Sequence, residues 1–171
     1  VYYTAYSWVG DDFYPRHASS REYRYVLPSE GLDPELAREC AGLFVGEHDF
    51  ARFCRPDGKP TVVTIDSIDV SEDGDALILT YRARFFLWNM VRRTASAIRE
   101  VASGHSTLQD VRDALDGRDV NFGVARADAL TLTDVSYEGV TFAPSSSGVL
   151  SAKKNEGIFS AGLVGGFFRS L

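Results

Sequence analysis

Residues 62–102 read VVTIDSIDVSEDGDALILTYRARFFLWNMVRRTASAIREVA, and three patterns in this stretch decide the fold. Val62–Val70 and Ala76–Arg84 alternate polar with apolar residues as strands do, and the turn between them contains the Asp73-Gly74 pair typical of a hairpin. Apolar residues then recur at helical spacing over Leu87–Ala102. A β-hairpin that leads into a long helix is typical of ferredoxin-like and RNA-recognition-like folds.

The rest of the chain adds strands and helices on either side of this stretch. The predicted elements are a strand over Glu22–Leu27, a helix that starts at Asp33-Pro34 and ends at Gly46, a helix over Thr107–Leu115 and a last core strand over Leu130–Tyr137. Residues 47–60 carry Pro, Gly and charges, which favours a long loop. Hairpins with segregated helices predict an α+β fold, an antiparallel sheet with helices packed on one face. We expect this domain over residues 1–142 and a C-terminal extension, for which a helix is the candidate structure, over residues 143–171.

The composition is that of a folded protein in a reducing compartment. Hydrophobic residues make up 44% and charged residues 25% of the 171 residues, which supports a core and excludes collagenous and fully disordered classes. No run approaches the ~18 consecutive apolar residues of a membrane span, and the sequence does not open on a signal peptide. Two cysteines, Cys40 and Cys54, are too few for a disulfide scaffold. We therefore expect a cytoplasmic protein with no membrane partner.

The charge balance taken alone weakens the case for a nucleic-acid partner. The 24 acidic residues outnumber the 18 basic ones, giving a net charge of −6, whereas nucleic-acid binders usually present excess positive charge. Only three basic residues are lysines. Two interpretations stay open: an ordinary acidic protein, or adaptation to high salt, where an acidic surface stays hydrated and short-range arginine contacts survive screening. The second interpretation is compatible with an RNA substrate.

No self-contained catalytic constellation is present in the sequence. The histidines and cysteines are not at metal-ligand spacing, so no metal site is predicted, and the usual phosphate-loop and hydrolase motifs are absent. Three segments are instead dense in aromatic residues and arginine: residues 13–25, 46–53 and 84–93. Such segments suit stacked bases and phosphates, although strands and helices with solvated outer faces would give the same composition.

These segments resemble one family in sequence and in order. Residues 13–25 read FYPRHASSREYRY, residues 46–53 GEHDFARF and residues 86–93 FLWNMVRR, followed by ADALTLTDVSY at 127–137. Over about residues 5–140 they are similar to the C-terminal half of the tRNA pseudouridine synthase A family. The resemblance implies the pseudouridine synthase fold, a homodimer and isomerisation of uridine to pseudouridine in the tRNA anticodon arm, without metal or cofactor.

The resemblance also implies roles for individual residues. Tyr23 is expected to lie against the target uracil and to take part in proton transfer, and Arg92 to pair with the catalytic aspartate. Arg92 lies on one flank of the apolar stripe of its predicted helix, one and a half turns in, from where an arginine can reach a cleft beside the sheet. Leu130 is expected to form an apolar wall of the pocket, with Leu132 as the less favoured alternative. The candidate RNA-binding residues of the three segments are Arg16, Arg21, His48, Trp88 and Asn89.

One departure from the family pattern bears on activity. The nucleophilic aspartate of the family lies in a G-R-T-D-x-G-V-H-A motif, which is absent, and Gly117-Arg118-Asp119 lacks the residues that should follow. Ala129 and Thr131 also replace the Gly and Tyr expected in the last strand. We therefore expect a fragment of a longer enzyme that is inactive alone. The alternatives are a non-catalytic RNA-recognition-like binding module and, as a third option, a structural interaction domain.

Overall fold

The computed structural model describes residues 5–58 and 60–144. Their eight strands are β1 (Ala5–Tyr6), β2 (Ser20–Pro28), β3 (Gly46–Asp49), β4 (Val62–Ile65), β5 (Ser67–Asp73), β6 (Ala76–Ala83), β7 (Leu130–Ser136) and β8 (Ala143–Pro144). Their helices are α1 (Pro34–Gly42), α2 (Met90–Ala102) and α3 (Leu108–Leu115), with a 3-10 helix over Ala51–Phe53. The chain divides into two compact units, residues 18–135 and a second unit that includes residues 5–17 and 136–144.

The larger unit is built on a four-stranded antiparallel sheet in the order β5-β6-β2-β7. Cross-strand pairs such as Tyr25 with Leu79 and Leu27 with Leu77 place apolar side chains on one face, where they are buried. The helices cover this face with residues of the same core, among them Phe44 just after α1. The structure therefore confirms an α+β fold with an antiparallel sheet and helices packed on one face.

Local signals predicted three features of this unit correctly. β5 and β6 form the expected hairpin, and Gly74 adopts a φ of 57° in its turn. The Asp33 carboxylate accepts hydrogen bonds from two backbone N–H groups and begins α1. Thr107 and Asp110 form the capping box that begins α3. α1 ends at Gly42 rather than Gly46, because the chain turns there and Gly46 already pairs as the start of β3.

Two expectations about the middle of the chain are wrong. The expected loop over residues 47–60 includes most of β3, which pairs with β4, and the 3-10 helix. Phe50 and Phe53 are buried and draw this segment into the core. The expected strand over Val62–Val70 is divided at Asp66, whose N–H donates to the Arg82 carbonyl at 2.8 Å, so that β4 and β5 belong to different sheets.

The long helix α2 begins at Met90 rather than at Leu87. The residues before it form a turn in which the Met90 N–H donates to the Leu87 carbonyl at 3.0 Å and Asn89 adopts a left-handed φ of 62°. The Arg55 N–H holds this turn from outside by donating to the Trp88 carbonyl at 2.8 Å. Arg92 therefore lies in the first turn of α2 instead of one and a half turns into it.

In the second unit, β1 pairs antiparallel with β8. The Tyr137 hydroxyl donates to the Pro15 carbonyl at 2.8 Å, and the Phe13 ring meets the Tyr137 ring edge to face. Apart from residues 143 and 144, the expected extension over residues 143–171, including its candidate helix, lies outside the described residues. Among the helices of the described ranges, none combines the length and apolar character that crossing a bilayer requires.

Candidate active site

Tyr23 lies in β2, directly across from Tyr81 of β6. Its half-buried ring packs against the core and meets the Phe86 ring edge to face, with 5.3 Å between the ring centroids. In the part of the chain that the structure describes, no group hydrogen-bonds the Tyr23 hydroxyl. The site therefore offers an aromatic ring of fixed orientation and an uncommitted hydroxyl, which together suit a planar, polar ligand such as a base.

Arg92 projects from the first turn of α2 with its guanidinium held on two sides. Nε donates to the Ala125 carbonyl at 2.7 Å, and Nη1 donates to Asn89 Oδ1 at 3.0 Å. Neither bond uses Nη2, so the outer edge of the guanidinium, which carries Nη2, has no carboxylate partner among the described residues. Such an edge binds the two oxygens of one carboxylate in parallel.

The segment between α3 and β7 is fixed to the rest of the unit through its backbone. Three side chains donate to its carbonyls: Arg92 to Ala125, the Tyr25 hydroxyl to Arg126 at 2.8 Å and Ser96 to Phe122 at 2.6 Å. Burial raises the pKa of Tyr25, against the opposing effect of the Arg92 charge, so Tyr25 is a neutral donor at physiological pH. The segment thus forms a wall that is anchored beside Arg92.

β7 supplies two leucines to the sheet face that carries Tyr23. The backbone pairing of β2 and β7 places Leu130 across from Tyr25 and Leu132 across from Tyr23. Leu130 is half-buried against the core, whereas Leu132 is 45% exposed. The predicted wall residue Leu130 therefore shares a face with Tyr23, one cross-strand pair away from it.

On the opposite face of β2, Glu22 is the centre of a charged network. Its carboxylate accepts from Arg82 Nε at 2.9 Å and from Thr133 Oγ1 at 2.8 Å, and it lies 3.8 Å from Arg24. Burial alone would raise the pKa of Glu22, but these hydrogen bonds and positive charges together hold it below its usual range. The network ties β2, β6 and β7 together at the residue next to Tyr23.

Glu22→Gln is expected to destabilise the protein at neutral pH and not at acid pH. A carboxyl whose pKa is lower in the folded state contributes stability above its unfolded pKa, and that contribution is lost as pH falls through the folded pKa. Thermal unfolding between about pH 7 and about pH 3 measures this difference in Tm. Asp69→Asn is the matched control, because the more exposed Asp69 carboxylate binds the same Arg82 and should matter less. An equal loss of Tm at both pH values would contradict the electrostatic origin.

Three of the candidate RNA-binding residues adjoin the elements that carry Tyr23 and Arg92. Trp88 is 57% exposed in the turn before α2, and Asn89, next to it, uses its side-chain oxygen to orient Arg92. Arg21 lies in β2 and donates from Nη1 to the Arg84 carbonyl. Trp88 and Arg21 thus border the same stretch of backbone, which leads from β6 to α2.

The other two candidates lie elsewhere. His48 is in β3, with Nε2 3.1 Å from the Val45 carbonyl and its ring edge to face with Phe50. Within the described ranges no contact joins His48 to Tyr23 or to Arg92. Arg16 is exposed and belongs to the second unit. Their roles in RNA binding stay predictions.

Two contributors to this site were not predicted from the sequence. Phe86 was part of an aromatic segment, but nothing in the pattern indicated that its ring would meet Tyr23. The Ala125 carbonyl that holds Arg92 is a backbone group, so residue types give no signal for it. In the described residues, no three His, Cys, Asp or Glu side chains lie close enough together to bind a metal ion.

Comparison with known proteins assigns the chain to one family. A family model described as tRNA pseudouridine synthase matches residues 40–138, a span that contains Trp88, Arg92 and Leu130. This span is more than half of the chain, and the chain belongs to the tRNA pseudouridine synthase family. The family part of the resemblance seen in the sequence is thereby confirmed.

The relatives are proteins named tRNA pseudouridine synthase A. The one from Pyrococcus abyssi is 41% identical over 138 residues, which cover 78% of this chain and 52% of the relative. The one from Thermococcus kodakarensis is 34% identical, covering 86% of this chain and 56% of the relative. The one from Methanosarcina mazei is 39% identical, covering 71% and 46%. The chain thus spans about half the length of the curated relatives it matches.

Proposed function

We propose that the chain supplies the C-terminal half of the catalytic domain of a tRNA pseudouridine synthase, which isomerises uridine to pseudouridine in the anticodon arm. The observation that carries the proposal is the outer edge of the Arg92 guanidinium, which the fold holds in place and which no described carboxylate occupies. A buried aspartate needs a positive partner to stay ionised, and this edge provides one. The family motif with the nucleophilic aspartate does not occur in the 171 residues.

In this proposal, an aspartate from a segment with the missing motif binds the outer edge of Arg92. Two parallel hydrogen bonds fix its direction as well as its charge. The uracil lies against the Tyr23 ring, and Leu130 contributes an apolar wall. The bond between N1 and C1′ breaks, the base rotates, and C5 bonds to C1′ while C5 loses a proton and N1 gains one. The Tyr23 hydroxyl takes part in this proton transfer, and the resemblance implies no metal or cofactor for any step.

The proposal includes the setting in which the enzyme works. We propose a cytoplasmic homodimer whose surface is adapted to high salt. The charge of −6 and the use of only three lysines support the adaptation. The two cysteines, both unpaired and buried, suit a reducing compartment.

Salt dependence of stability tests the adaptation. The Tm of the 171-residue chain is expected to rise between low and molar KCl, because salt screens the mutual repulsion of a net charge of −6. Thermal unfolding in KCl measures the change, and the same titration with sucrose controls for general stabilisation. A flat or falling Tm in KCl would contradict adaptation to high salt.

Release of tritium from C5 of uridine in labelled tRNA tests the activity, because isomerisation removes that hydrogen. The chain alone is expected to release none, since it lacks the nucleophile motif. A longer protein that joins this chain to a segment with the motif is expected to release tritium. Turnover by the chain alone would contradict the assigned nucleophile. An inactive longer protein that still binds tRNA would instead favour the non-catalytic binding module.

A further inference from the structure

A groove with a volume of about 420 Å³ lies between β4 and the turn before α2. Phe85, Phe86 and Trp88 line it, together with Val62 and the charged residue Asp57. We call it the Trp88 groove. Phe85, Trp88 and Val62 are each 45% exposed or more, so the groove presents a continuous apolar surface to solvent. Its volume is within the range of pockets that bind small organic ligands.

Trp88 is held as a flat platform on one wall of the groove. The Arg55 guanidinium lies over the Trp88 ring, 4.2 Å from its centroid, and the Arg55 N–H fixes the Trp88 carbonyl. A cation at this distance is attracted to the ring and covers one of its faces. Trp88 is nevertheless 57% exposed, which leaves part of its surface accessible to a stacking partner.

Phe86 connects the Trp88 groove with the candidate active site. Its ring lines the groove and also meets the Tyr23 ring edge to face at 5.3 Å. A single aromatic side chain therefore separates the place of the proposed target base from the groove. Successive bases of an unpaired strand are near neighbours, and each presents a π-face.

The charges around the groove suit a polyanion. Arg55 covers Trp88, Arg84 directly precedes Phe85, and Arg21 donates to the Arg84 carbonyl. Three arginines thus lie at or next to groove-lining residues, and the nearby carboxylates are Asp57, which lines the groove, and Asp49, which pairs with Val62. A symmetric contact with a second copy would bring these arginines towards their own counterparts, whereas an RNA backbone would neutralise them.

We propose that the Trp88 groove binds an unpaired nucleobase adjacent in the RNA to the base held against Tyr23. The inference rests on the proposed function, because it takes RNA as the substrate. It adds a second base site, in which Trp88 stacks on the neighbouring base while arginines at the rim meet its phosphates. The RNA would thus be bound on both sides of the Phe86 ring, by Tyr23 and by Trp88.

Fluorescence titration of the full 171-residue chain with a stem-loop RNA tests this proposal. The RNA carries 2-aminopurine at one unpaired position at a time, because this base loses fluorescence when it stacks. Trp88→Leu is expected to raise the Kd about tenfold and to abolish quenching at one loop position, since a base–aromatic stack contributes affinity of this order. Trp88→Phe should restore much of both, and the slope of log Kd against log salt should not change, because no charge is removed. Trp8→Leu, at the other exposed tryptophan, is the matched control and should bind normally.

Each outcome of this titration is decisive. Normal binding and quenching with Trp88→Leu, alongside weak binding with Tyr23→Leu, would overturn the second base site and leave the proposed function intact. If the wild-type chain does not bind the RNA, the second base site is wrong, whereas the proposed function is decided separately by tritium release from the longer protein. If Trp88→Leu changes only the sedimentation of the chain and not its RNA affinity, the groove is a contact between copies and the proposal is wrong.

Discussion

Replacement of Arg92 by lysine is expected to lower kcat about 100-fold in the longer protein proposed above, with little change in KM. Lysine keeps the positive charge but not the planar fork, so it cannot hold the two oxygens of a carboxylate in parallel. It also loses the Nε bond to the Ala125 carbonyl, which sets the direction of the side chain. Displacement of a reacting group by about 1 Å can cost about 100-fold in rate. Single-turnover rates on labelled tRNA measure the loss.

Two control variants separate this role from a structural one. Ser96→Ala removes another side chain that anchors the same segment, through the Phe122 carbonyl, without altering Arg92. It is expected to cost about 1–3 kcal/mol of stability, because it leaves a carbonyl unsatisfied, and to leave kcat nearly unchanged. Arg93→Lys changes the neighbouring arginine of the same helix. If Arg93→Lys were the slow variant and Arg92→Lys normal, the assignment of the motif would be wrong. Equal losses of Tm and rate with Arg92→Lys and Ser96→Ala would indicate a structural role.

The parts of the fold that were predictable depend on signals within a few residues. The Asp33 cap, the Thr107 capping box and the Gly74 hairpin turn each satisfy local backbone groups, so they act wherever they occur in a chain. Apolar residues of β2, such as Tyr23 and Tyr25, occupy every second position, which likewise indicates that one face of the strand is buried. These signals gave the α+β class and the position of most core elements.

The errors occurred where partners distant in sequence decide the structure. β3 is a strand because β4 pairs with it across an intervening segment, and the charges of Glu47 and Asp49 conceal this in the sequence. The split at Asp66 depends on the Arg82 carbonyl, a group on another strand. The late start of α2 depends on the left-handed Asn89 and on a hydrogen bond from Arg55. The helical spacing of apolar residues carries no information on the conformation of Asn89 or on the hydrogen bond from Arg55.

For the candidate site, too, the sequence indicated which residues matter, whereas only the structure shows what holds them in place. Tyr23 and Arg92 were expected from the family resemblance, and the structure adds the groups that hold them: Phe86 for Tyr23, and Asn89 and Ala125 for Arg92. Asn89 was expected to contact RNA, yet its side-chain oxygen accepts from Arg92, which makes it a positioning group in this structure. The catalytic and RNA-binding roles themselves stay predictions that the variants test.

Tyr23→Phe is expected to slow isomerisation about 100-fold while leaving tRNA affinity nearly unchanged. The ring and its edge-to-face contact with Phe86 are kept, so stacking survives. The hydroxyl is lost, and general acid or base catalysis by one side chain is worth at least about 100-fold. Tyr23→Leu should add a loss of affinity, because it removes the stacking face as well. Single-turnover rates and binding titrations, run on the same variants, separate the two effects.

Tyr25→Phe is the matched control for the hydroxyl, since Tyr25 lies two residues along the same strand face and differs in having a partner. Its hydroxyl donates to the Arg126 carbonyl, so Tyr25→Phe should lower Tm, whereas Tyr23→Phe removes no such bond among the described residues and should not. A rate unchanged by Tyr23→Phe but reduced by Tyr23→Leu would limit Tyr23 to stacking and remove it from proton transfer. A rate reduced by Tyr25→Phe as strongly as by Tyr23→Phe would assign the effect to the wall anchored beside Arg92, because that wall is what the Tyr25 hydroxyl holds.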